Sequence, residues 1–232
     1  MDISVVPPSS SFPPSHISRL PSELLTNIFL RLAHACRHEA RAMDCYSHQP
    51  YAWLPVTRVC RFWHDAALQC HSLWAFIDVS YDALEWLKVL LVRSGRVPLV
   101  AKLNDWDPPY EDQSDQVILE LVLQELPRIV KLEVEITASL LTKLEALVQH
   151  PPPMLRSLSL RKICINGDDP LHEQGHFPLN FDLPHLRSLK VFRFKFSEAK
   201  TLFRPSLRKL VLDATEYPPL REVSECIREL PP

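Results

Sequence analysis

Hydrophobic residues recur at helical spacing over roughly the first 95 residues and at alternate positions after that. In ISRLPSELLTNIFLRL, from Ile17, the residues Leu24, Leu25, Ile28, Phe29 and Leu32 form one apolar stripe. Pro21 and Ser22 stand at its start, and Glu23 suits the positive end of a helix dipole. A short helix is expected there. The segment His34–Tyr51 mixes charge and small residues without a sustained stripe and reads as an irregular or partly helical insertion. In WLPVTRVCRFWHDAAL, Trp53–Leu68, a second helix would gather Val56, Val59, Cys60, Phe62, Trp63, Ala66 and Ala67 into an arc of roughly 160°. That is wider than an ordinary surface helix needs, so one side can close a small core while the other rests on something outside it. CHSLWAFIDVS, from Cys70, reads as a short third helix running into an extended piece. Leu84, Leu87, Leu90 and Leu91 mark a further helix, which the punctuation SGRVP closes at a domain junction.

Beyond that junction Leu99, Ala101 and Leu103 share one face of an expected strand. LRSLSLRKICI from Leu155, LRSLKVFRFKF from Leu186 and LRKLVLDATEY from Leu207 then obey one template, which IVKLEVEI from Ile129 begins. A proline precedes each unit. The corresponding leucines, Leu132, Leu158, Leu189 and Leu210, lie 26, 31 and 21 residues apart, near the ~20–29 of leucine-rich repeats. Helix-like stretches from Ser114 and Ser139 can cover one side of such a strand layer. The position of the usual polar ladder holds Ile163, Phe194 and Thr215, so the turns need other support. QELPR at 124–128 opens a unit, and RELPP at 228–232 has the same opening, so the solenoid reads as short or truncated.

Composition narrows the functional classes. The 232 residues are 46% hydrophobic and 23% charged, with a formal net charge of -2, so nothing draws the chain generally toward nucleic acid or an anionic membrane. Three glycines against 22 prolines leave no phosphate-cradling loop. Residues 1–16 read as a Pro/Ser-rich disordered tail, and no apolar run approaches the ~18 residues of a membrane span. Six cysteines without paired spacing fit free thiols in the cytoplasm or nucleus.

LPSELLTNIFLRL, VTRVCRFWHDAAL and CHSLWAFIDVS together resemble the F-box, in the form found in fungal F-box-like proteins with an insertion between the first two helices. The resemblance covers residues 17–80 and rests on Leu20, Pro21, Leu24, Ile28, Phe29, Val59, Cys60 and Trp63. It implies that these residues dock on the small adaptor subunit of an SCF-type cullin-RING ubiquitin ligase while the repeats hold a target protein. It also implies that the chain itself is not an enzyme and uses no cofactor. Leu25, Leu32, Phe62 and Trp74 are assigned to the internal core. The expected architecture is α+α/β: a three-helix F-box module at 17–80 with an insertion at 34–51, a linker helix at 81–96, and a curved leucine-rich-repeat-like solenoid at 97–232. A ligase-independent repeat scaffold capped by the F-box-like helices is the alternative.

Other constellations carry less. His34, Cys36, His38, Cys45 and His48 are zinc-ligand types, but they lack the two tight pairs of a structural site, so no metal is expected. The carboxylates Asp105, Asp107, Glu111, Asp112 and Asp115 surround a proline-rich loop and read as solvated. Strand alternation puts Lys131, Glu133, Glu135, Ser157, Ser159, Arg161, Ser188, Lys190, Phe192, Lys209, Val211 and Asp213 on the outer sheet face. These are the candidate target-binding residues, acidic early and basic late. The stretch from Arg187 to Lys209 is a local basic patch, with Glu198 its single acid.

Overall fold

The computed structural model describes residues 20–42, 50–78, 84–103, 113–136, 152–162 and 183–214, together with Arg221, Ser224 and Arg228. The chain divides into two compact units, Met1–Leu73 and Trp74–Pro232.

The first unit is helical. Helix α1 spans Ser22–Ala42, and its first N–H groups, those of Leu24 and Leu25, reach back 3.1 Å to the carbonyl of Pro21. It runs well into the expected insertion, because HACRHEARA combines good helix formers with no glycine or proline to stop it. Arg37, on this extension, donates 2.9 Å to the carbonyl of Leu73. Leu25, Phe29 and Ala33, spaced four residues apart, are buried together with Trp53, Val56, Ala66, Ala67 and Leu73.

The expected single helix over Trp53–Leu68 is two pieces. A 3-10 segment at Leu54–Arg58 accommodates Pro55 near its start, and helix α2 begins only at Arg61 and ends at Gln69. Between them Cys60 is fully extended, with φ -161 and ψ 171. Val56, Thr57, Val59 and Cys60 are all modest helix formers, and the Thr57 hydroxyl bonds the Leu54 carbonyl at 2.8 Å instead of supporting a continuous helix. The expected third helix is likewise a 3-10 turn, His71–Trp74.

The second unit is a parallel sheet with helices. Its described strands are β1 (Phe76–Asp78), β2 (Leu99–Leu103), β3 (Ile129–Ile136), β4 (Ser157–Lys162), β5 (Ser188–Phe194) and β6 (Lys209–Ala214), paired in chain order. Strand β1 was expected to belong to the helical module, yet it pairs with β2, so the junction lies earlier than SGRVP. Helix α3, Leu84–Ser94, is consequently a crossover between paired strands and not a linker. Leu87 enters the core, and Leu84 and Leu91 pack against it. Gly95, at φ 55, ends α3 in the left-handed conformation that glycine adopts without a Cβ penalty.

The register sets the spaced leucines side by side. Leu132 pairs with Leu158, Leu158 with Leu189, and Leu189 with Leu210, and the row continues through Ala101 to Ile77. This row forms the core with Leu103, Val134, Leu160 and Val191, under Ile118, Leu119, Val122 and Leu123 of helix α4 (Gln113–Gln124). The helical stretch expected from Ser139, Ile163 and Thr215 of the ladder position, and the tail at 1–16 lie outside the described residues.

Two local devices hold the sheet's shape. Arg128 donates to Glu125 at 2.6 Å, to the Ser94 hydroxyl at 3.2 Å and to the Val97 carbonyl at 3.0 Å, clamping the end of α3 to the start of β3. Arg193 sits at φ 62 where the β5–β6 register shifts. The bulge breaks alternation, so Arg193 faces out and Phe194, in the ladder position, is buried.

Candidate functional site

The first unit presents an apolar face. At about 100° per residue, Leu24, Ile28 and Leu32 occupy the arc from about 0° to 80° of α1, and Leu25, Phe29 and Ala33 the arc from about 100° to 180°. The second row is sealed, whereas Leu24, Ile28 and Leu32 remain 52%, 48% and 40% exposed. Val59 at 57% and Phe62 at 37% are exposed on the segment from the end of the 3-10 turn into α2. Pro21 and Cys60 are exposed, and Leu20 and Trp63 are partly covered.

The break at Cys60 shapes this second part. In one continuous helix Val59 would share the buried side with Val56. The extended residue releases Val59 outward and lets α2 bury Ala66 and Ala67 instead. His64 secures the bend, its Nδ1 lying 3.0 Å from the Thr57 carbonyl.

Three assignments change. Phe29 was placed among the docking residues, but it is fully buried, with its ring 5.2 Å from that of Trp63 at 59°. Leu32 and Phe62 were placed in the core and are exposed. The signal that separates Phe29 from Leu32 is the pair of four-residue series on α1: starting from Leu24 selects the outer row and starting from Leu25 the inner one.

Burial pushes the Cys70 thiol above its ordinary pKa, outweighing the Leu73 and Ser72 N–H groups that pull it down. Cys70 is thereby kept protonated, as a small packing group. Among the described residues no group of His, Cys, Asp and Glu could hold a metal ion. His34 and Cys36 lie on α1, whereas the His38 side chain, Cys45 and His48 lie outside the description, as do Asp105, Asp107, Glu111, Asp112 and the Asp115 side chain. No helix among the described residues is long and apolar enough to cross a membrane.

The second unit presents a polar sheet face ordered in rows. Lys131, Ser157, Ser188 and Lys209 stand side by side, next to a row of Glu133, Ser159, Lys190 and Val211 and a row of Glu135, Arg161, Phe192 and Asp213. The candidate target-binding residues thus share one face. Their charges are partly spent on one another: Lys131 meets Glu133 at 2.7 Å, Arg161 approaches Glu135 at 4.0 Å, and the Arg161 guanidinium lies 4.7 Å from the Phe192 ring centroid. The expected acidic early half is therefore matched by its own cations.

Compared with known proteins, residues 17–80 match the family model described as F-box-like. No curated protein and no solved structure matches the chain.

Proposed function

We propose, from the F-box-like domain at residues 17–80, that this chain is a substrate-receptor subunit of an SCF-type cullin-RING ubiquitin ligase. One end grips the adaptor subunit and the other holds the protein to be modified. No chemistry is asked of the chain itself. Its contribution is effective concentration, keeping a target lysine near the ubiquitin-loaded enzyme.

The observation that carries this reading is the exposed row Leu24, Ile28, Leu32, Val59 and Phe62. Full burial of such a side chain contributes ~1.5–3 kcal/mol, and each is roughly half covered already, so sheltering the rest contributes about 1 kcal/mol apiece. An apolar helix face of this kind fits the groove of a helical partner. On the sheet-bearing unit, which we read as a short leucine-rich-repeat-like solenoid, the rows of side chains offer a surface for the target.

Co-expression with the adaptor subunit tests the first half. The wild-type chain is expected to co-purify with the adaptor, and the Leu24→Asp/Val59→Asp double variant to lose it while keeping its circular dichroism spectrum. Equal capture of both proteins rejects the face as the docking site. Failure of the wild type to bind the adaptor favours the alternative, a ligase-independent scaffold.

A further inference from the structure

The arginine of each of the last three repeat units falls at the same place. Arg156, Arg187 and Arg208 directly precede or open strands β4, β5 and β6, and their backbones are bonded in series. The Arg187 N–H donates to the Arg156 carbonyl at 2.9 Å, and the Arg208 N–H to the Arg187 carbonyl at 2.8 Å. Adjacent parallel strands lie ~4.8 Å apart, so three cations stand in a line about 10 Å long. All three are exposed, and none has an ion pair or side-chain hydrogen bond among the described residues. Lys209, also exposed, stands beside the end of the line.

This arrangement is unfavourable by itself, since like charges at adjacent strand positions repel. The unit of β3 has Val130 in line with this row, and its nearest arginine, Arg128, shows the contrast. Arg128 is turned inward and matched by Glu125, Ser94 and the Val97 carbonyl, whereas the later three keep fifteen N–H donors' worth of guanidinium, about five apiece, free for an anion.

We infer that Arg156, Arg187, Arg208 and Lys209 form a linear docking row for a carboxylate-rich segment of the bound protein. The inference deepens the reading of the sheet-bearing unit as the target-binding half and rests on it. A line of separate cations matches a line of separate anions better than one point charge. An extended segment crossing the strands carries same-side carboxylates every ~6.6–6.8 Å, so two of them fit within the line of three arginines, each lying between neighbouring cations. The net charge of -2 removes the broad positive field that a polynucleotide or anionic bilayer would use.

The probe is a fluorescein-labelled peptide of about eight residues alternating Glu and Thr, read by anisotropy against its Gln/Thr counterpart. The Glu peptide should bind, weaken as salt rises, and lose about 3- to 100-fold in affinity in the R156Q/R187Q/R208Q triple variant, since exposed pairs contribute a factor of about 1.4 to 5 each. The triple Lys variant should retain part of the binding. Melting curves of the Gln variant should be unchanged or shifted upward as the mutual repulsion goes. Equal binding of the Gln/Thr peptide, unchanged affinity in the triple Gln variant, or tighter binding of a phosphopeptide, an oligonucleotide or an anionic vesicle would each overturn the assignment. Adaptor capture by the same variants should stay at the wild-type level. Its absence with peptide binding intact would count against the ligase reading alone and leave the row standing.

Discussion

Ile28 and Phe29 are neighbours on one helix, alike in hydrophobicity, and the structure gives them opposite surroundings. Phe29 is wholly buried against Trp63. Phe29→Ala should therefore lower the stability of the first unit by ~3–5 kcal/mol, a range that includes the cavity left behind. Ile28 is about half exposed. Ile28→Ala should cost at most about 1 kcal/mol of stability, offset in part by the better helix propensity of alanine. In adaptor binding the ranking changes, because the remaining half of Ile28 is what a partner covers. A loss of about 1 kcal/mol corresponds to roughly 5-fold in Kd. Urea unfolding followed by far-UV circular dichroism measures the first quantity, and titration calorimetry against the adaptor the second. If Ile28→Ala destabilises the free protein as much as Phe29→Ala, the outer row is interior and the docking argument collapses. If it leaves Kd unchanged, the row is exposed but does not dock.

Two further outcomes follow. Arg128→Ala leaves the Glu125 carboxylate without its cation and the buried Ser94 without its clamp. The sheet unit should lose about 1–3 kcal/mol in thermal or urea unfolding, and Arg128→Lys, lacking the fork, should restore only part of it. Among the thiols, Cys60 is exposed and Cys70 partly covered, so iodoacetamide should modify Cys60 first, and bound adaptor should protect it. Because the Cys70 pKa is raised in the folded chain, the unfolded chain gives up that proton first. The Cys70 contribution is thus intact below the ordinary thiol pKa and is lost as pH climbs through the raised value. Cys70 alkylation profiled against pH should lie to the alkaline side of that of the same thiol in the urea-unfolded chain.

The leucine row was legible because parallel register needs the same inward residue at the same place in each strand. Leucines separated by 26, 31 and 21 residues pair directly, since lengthening the connection between two strands costs little once each strand has its own apolar row. The extended piece that forms β1 was read, but its place in the sheet was not. Phe76, Ile77 and Asp78 are all buried, and a strand covered on both faces has no alternation to read. It was therefore counted with the helical residues before it.

At the exposed apolar face the sequence specified the residue types and left their sides open. An apolar arc of about 180° on α1 announces two contacts, and periodicity alone does not say which half is already occupied. Phe29 and Leu32 were misplaced for that reason. On the second segment the deciding event was the extended Cys60, which no glycine or proline marks. One non-helical residue turned Val59 outward, an effect that depends on how α2 packs its alanines.

The sheet face adds a constraint that alternation could not supply. Alternation places twelve side chains on one surface as equals, yet register makes partners of some of them. Lys131 is held by Glu133, and Glu135 and Phe192 both engage Arg161. A ligand drawing on those charges must first separate them, which returns little net energy at an exposed site. Lys190, Lys209 and Asp213 carry no such obligation among the described residues, nor do Arg156, Arg187 and Arg208. Selectivity for a target should therefore reside in strands β4 to β6. Charge reversal at Lys190 or Lys209 should shift target binding more than charge reversal at Lys131 or Glu133.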